Sequence, residues 1–97
     1  MGEASVTEAW RGLQVSGLTP EQLEQFDLPS DTTGVLVVDV ASGSPAEEGG
    51  LRPGDVINEI NRRRIESVSD YRKAIAQVKG NALVRTNRGY VVIKAEG

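Results

Sequence analysis

Few of these 97 residues could carry covalent chemistry, because the chain has no His and no Cys. A Ser-His-Asp triad, a Cys nucleophile, a His or Cys zinc site and a disulfide are all excluded. No metal site and no cofactor is expected. Ser44 is a nucleophile by type, but Gly43-Ser44-Pro45 lacks the second glycine of a nucleophile elbow. With Pro45 at the first helical position and Glu47 at the third, Ser44 reads as a helix cap. Asp55 follows Pro53-Gly54 and has no sequence-paired His or second carboxylate. It reads as a turn organiser that accepts hydrogen bonds from nearby backbone amides, with Gly54 free to take a positive φ.

Charge narrows the field further. The net charge of −3 divides unevenly: residues 1–50 hold nine acids and one base, Arg11, while residues 51–97 hold ten bases and five acids. The one tight basic cluster, Arg62-Arg63-Arg64, falls at a polar turn and reads as a solvated hairpin tip, so nucleic acid is not an expected partner. Apolar residues at 38% and charged residues at 26% suit one small folded domain rather than a disordered chain. No apolar run approaches the roughly 20 residues of a membrane helix, and the N-terminus lacks the basic and apolar parts of a signal peptide. No membrane insertion is expected. The Met1-Gly2 start reads as a cloning remnant on an excised domain, and the lack of Cys gives no redox address.

The elements that must position any site follow from local pattern. Residues 1–9 read as a flexible lead-in and 10–97 as a single domain. Leu13 and Val15 alternate with polar neighbours in a short strand. Thr19-Pro20-Glu21-Gln22 starts a helix running to about Phe26, with Leu18, Leu23 and Phe26 as its apolar side. Val35 to Val40 is β-branched and suits a strand buried on both faces. A short helix follows Ser44 and ends at Gly49-Gly50, and Val56, Ile57 and Ile60 mark the next strand. Ser67 or Ser69 caps the strongest helix, in which Val68, Tyr71, Ile75 and Val78 recur at helical spacing until Gly80. Leu83–Thr86 and Tyr90–Lys94 pair as a hairpin around Asn87-Arg88-Gly89. About five short strands and two or three helices, neither alternating nor segregated, predict an α+β domain with a small, curled, mostly antiparallel sheet.

Several of these segments in order resemble one family. Gly34-Val-Leu-Val-Val-Asp-Val, Gly43-Ser44-Pro45-Ala46, Gly50-Leu51-Arg52-Pro53-Gly54-Asp55-Val56-Ile57 and Asn61 resemble the PDZ domains of bacterial HtrA (Deg) serine proteases. Gly12-Leu13-Gln14-Val15 followed by Leu18-Thr19-Pro20-Glu21 is similar to the start of the second, C-terminal PDZ domain in that family. The resemblance covers roughly residues 10–95. It implies a PDZ-like, partly open barrel of five to six strands, no catalysis within this chain, and a periplasmic or cell-envelope location.

The resemblance also implies a site. Trp10-Arg11-Gly12-Leu13 matches the loop whose amides hold a peptide's C-terminal carboxylate, so Arg11, Gly12 and Leu13 are the expected carboxylate loop. A nest of unpaired N–H groups suits an anion, and Gly permits close approach. Arg11 departs from the usual apolar residue there, and either attracts the carboxylate or points to solvent. Leu13, Gln14 and Val15 are the expected groove strand, and Tyr71, Ala74, Ile75 and Val78 the facing helix wall. Tyr71, Ile75 and Val78 form one stripe that serves as core, as pocket or as both. Trp10 is a packing residue or a lid. Expected partners are peptides or unfolded-protein segments, especially hydrophobic C-termini, the protease domain of a parent chain, and other copies in a homo-oligomer through that parent. The alternatives are an assembly domain with an empty or self-occupied groove, and a PDZ domain of another bacterial protease or secretion component.

Overall fold

The computed structural model describes residues 6–95. Six strands form one sheet: β1 (Leu13–Gly17), β2 (Val35–Val40), β3 (Val56–Ile60), β4 (Arg63–Arg64), β5 (Ala82–Thr86) and β6 (Gly89–Ile93). Their order is β1-β2-β3-β5-β6, with β4 pairing β3, and every pair is antiparallel. Three helices, α1 (Pro20–Gln25), α2 (Pro45–Gly49) and α3 (Val68–Ala76), complete the α+β arrangement expected from the sequence.

Local chemistry sets the helix ends. Thr19 and Gln22 form a reciprocal capping box at α1, Ser44 accepts from the Glu47 amide at α2, and Ser67 accepts from the Asp70 amide at α3. Helix α3 stops at Ala76, short of Gly80, because its last turn tightens: the Gln77 and Val78 amides bond carbonyls three residues back, at Ala74 and Ile75. In β2 only Val35, Leu36 and Val37 are buried, because Val38 bulges out of register with β1 and Asp39 is exposed. The arginine cluster lies on the exposed β3–β4 hairpin, as a solvated tip should.

The sheet curls so that its two end strands approach. Leu13 and Val15 of β1, Val35 and Val37 of β2, Ile57 and Ile60 of β3, and Ile93 of β6 meet in one core with Tyr71 and Ala74 of α3. Helix α2 packs on β6. Asp55, 5% exposed, fixes the turn before β3: it accepts from the Arg52 amide at 3.0 Å and from Arg88 Nε and Nη2 at 2.8 Å each. The turn-organising role expected of Asp55 is present, reinforced by a cation 33 residues away. Residues 1–5 of the expected lead-in lie outside the described residues. From Thr7 onward the lead-in is hydrogen-bonded to β1.

Candidate functional site

Strand β1 ends the sheet, so one edge pairs β2 and the other faces away from it. Side chains alternate along it: Leu13 and Val15 are fully buried, whereas Gln14 lies half-buried on the other face. The outward backbone groups of β1 are therefore those of Leu13, Val15 and Gly17, the N–H and C=O that an added strand would need.

The loop before β1 is a two-residue hairpin turn. Trp10 and Leu13 exchange both backbone hydrogen bonds at 2.9 Å, and the residues between them, Arg11 and Gly12, have φ of 55° and 86°. Positive φ at both positions is the signature of a type I′ turn. The loop is seated on α2 and the residue just after β2: the Ala46 amide donates to the Arg11 carbonyl and the Ala41 amide to that of Gly12. A Cβ at Gly12 would fall onto the Ser44 side chain, so close approach as well as φ requires glycine there.

The three expected carboxylate-loop residues differ in what they have free. The Arg11 and Gly12 amides find no backbone acceptor among the described residues, whereas the Leu13 amide is bonded to the Trp10 carbonyl. The Arg11 side chain takes neither of the two orientations expected from the sequence. Only 9% exposed, it donates from Nη1 to the Ile93 carbonyl at 3.2 Å and lies 4.8 Å over the Trp10 ring. It thus ties the loop to β6 and satisfies its charge through a carbonyl and an aromatic face.

The helix wall divides. Tyr71 and Ile75 line a cleft of about 400 Å³ together with Val6, Thr7, Glu8 and Arg72. Ala74 is buried and faces a different, smaller hollow beside Ile65 and Asp70, and Val78 lies past the end of α3, half-buried against the core. Tyr71, the residue of the stripe with a polar tip, is wholly buried, its ring edge-on to Trp10 at 6.4 Å between centroids. Its hydroxyl has no hydrogen-bond partner among the described residues, and burial pushes its pKa far up from the usual tyrosine value. A second cleft of similar size, lined by Thr33, Asn58, Glu59, Arg64 and Arg85, offers no apolar wall. Among the described residues no cluster of acidic groups could hold a metal ion, and no helix is long and apolar enough to cross a membrane.

Thr7 escaped the sequence reading altogether. Buried at 3% exposure, it donates its amide to the Val15 carbonyl at 2.8 Å and accepts the Val15 amide on Oγ1 at 3.1 Å. The Gln14 side chain donates to its carbonyl at 3.2 Å. The available signal was the two-residue spacing of Trp10 and Leu13, which folds the chain back along β1.

A curled antiparallel sheet whose end strand lies beside a helix, with a backbone turn at one end of the gap, defines a small strand-and-helix groove domain. The chain belongs to the PDZ domain family, whose model matches residues 36–86, more than half of its length. The relatives that it matches are HtrA-type serine proteases. A probable periplasmic DegP-like serine endoprotease of Chlamydia muridarum is 39% identical over 90 residues, covering 88% of this chain and 18% of the relative. A mitochondrial serine protease HTRA2 of Drosophila erecta is 38% identical over 86 residues, covering 82% and 20%. The chain thus spans about a fifth of these relatives' length. Among solved structures, the HtrA3 PDZ domain bound to the phage-derived ligand FGRWV superposes with a TM-score of 0.74 at 26% identity, covering 92% of this chain and 86% of that one. The HtrA-type protease AlgW with a decapeptide superposes at 0.66 with 30% identity, covering 88% and 28%.

Proposed function

We propose that this domain binds peptides by strand addition to the outer edge of β1, with the peptide's C-terminal carboxylate held at the Arg11–Gly12 turn. One observation carries the reading: the outward N–H and C=O groups of Leu13 and Val15 already pair with an extended segment, Thr7 to Trp10, so this edge accepts an antiparallel strand. The Arg11 and Gly12 amides lie at the end of that ladder without backbone acceptors, suited to an anion. Ile75, half-buried on this cleft, supplies an apolar wall for side chains of the added strand. The HtrA3 PDZ domain bound to FGRWV and AlgW with a decapeptide support a peptide as the ligand.

The biological ligands are hydrophobic C-termini or unfolded segments, presented to a protease domain of the parent chain or used in assembling its oligomer. The DegP-like relatives support a periplasmic setting. A short peptide buries far less than a standard interface, so affinity should be micromolar, about −8 kcal/mol. Calorimetric titration with FGRWV as free acid and as C-terminal amide tests the reading. The acid should bind at least tenfold tighter, and equal affinities would remove the carboxylate from the account.

A further inference from the structure

We propose that residues 7–10 are an intramolecular ligand of the β1 edge, which an external peptide must displace before it can bind. The inference rests on the peptide-binding reading above. A strand added to β1 bonds the N–H and C=O of alternate residues, Leu13, Val15 and Gly17, and one that reaches the Arg11–Gly12 turn needs those of Leu13 and Val15. In this structure Trp10 takes both groups of Leu13, and Thr7 takes both groups of Val15, one through its amide and one through Oγ1. Of the outward groups of β1 only those of Gly17 stay out of this pairing, too few for a second strand to reach the turn. Trp10 also fills the place of the side chain opposite Leu13, with its ring packed edge-on against Tyr71.

The segment is held as an exchangeable ligand would be held. Two residues, Glu8 and Ala9, oppose the single residue Gln14, so the pairing is bulged; both are exposed, and their backbone groups make no hydrogen bond among the described residues. Val6 is 51% exposed, and the cleft of about 400 Å³ remains open between this segment and α3. The hairpin itself requires Arg11, a residue with a side chain, to hold a positive φ. The turn of only two residues keeps the segment at high effective concentration over the edge. A peptide's apparent dissociation constant is then its intrinsic value divided by the fraction of molecules with the edge open.

Thr7→Pro removes both bonds to Val15, since proline lacks the N–H and the hydroxyl, whereas Thr7→Ser keeps both. The probe is a free-acid pentapeptide without tryptophan, FGRFV, so that Trp10, the chain's single Trp, reports its own release by fluorescence. Thr7→Pro should bind about tenfold tighter than the parent, Thr7→Ser should match the parent, and binding to the parent should shift Trp10 emission to the red. Thr7→Val, which loses only the Oγ1 acceptor, should tighten binding about threefold and serves if the proline variant does not fold. Equal affinity across all forms, or binding that leaves Trp10 emission unchanged, overturns the inference while peptide binding stands. Absence of binding in every form overturns both.

Discussion

Tyr71→Phe is the most informative single change to the core, because it isolates one buried hydroxyl. Tyr71 is 0% exposed, and its hydroxyl has no hydrogen-bond partner among the described residues. Burying an unbonded hydroxyl costs about 1–3 kcal/mol. Phe keeps the ring's packing against Trp10 and the core, and removes that cost. The expected gain is about 1 kcal/mol at pH 7, allowing for the small void left by the oxygen. In a domain of this size that raises the thermal midpoint by roughly 4–8 °C. A pH dependence follows with a definite sign. Burial raises the folded-state pKa above the usual 10.0, so below pH 10 the proton is held in both states and the hydroxyl adds no slope. Above pH 10 the unfolded chain releases this proton and the folded chain keeps it, which favours unfolding by about 1.4 kcal/mol at pH 11. Urea unfolding of parent and variant at pH 7 and pH 11 gives the difference directly. The variant's advantage should grow from about 1 to about 2.4 kcal/mol. A variant less stable than the parent at pH 7, or an advantage that does not grow with pH, would refute the reasoning.

Two further changes test the frame around the groove. Asp55→Ala deprives the Arg52 amide and Arg88 of a shared, nearly buried acceptor, and should lower stability by about 2 kcal/mol. That is below the usual cost for a buried pair because the Arg88 side chain is 47% exposed; the urea midpoint reads it. Gly12→Ala puts a Cβ onto Ser44 at a φ of 86°, and should cost about 1–3 kcal/mol in the same assay and weaken peptide binding through the displaced turn.

What the sequence disclosed was what depends on near neighbours. Thr19, Ser44 and Ser67 cap helices with groups three residues away, and β2, β3 and the β5–β6 hairpin follow from apolar runs bounded by Gly and Asn. The resemblance then named β1 and α3 as the expected sides of a groove. Four things stayed hidden. The Arg11-Gly12 turn does not look like a hairpin turn, because a residue other than Asn, Asp or Gly seldom takes the first positive φ, and here Arg11 is fixed there by Ile93 and Trp10, contacts no local pattern announces. Thr7 follows from that turn, so it was lost with it. The Arg88 clamp on Asp55 joins residues 33 apart, and only the closed sheet brings them together. The helical stripe read as one wall was divided by the early end of α3, which leaves Val78 beyond the helix.

The central claim is that the edge of β1 beside α3 receives a peptide. Amide chemical shifts of the isotopically labelled domain, followed during titration with free-acid FGRWV, test it most directly. The Gly12, Leu13, Val15 and Ile75 amides should move together along one binding curve, and the amidated peptide should produce smaller shifts at Arg11 and Gly12. Shifts confined to another surface, such as the exposed Tyr90 and Val92 of β6, with the β1 amides unmoved, would contradict the account.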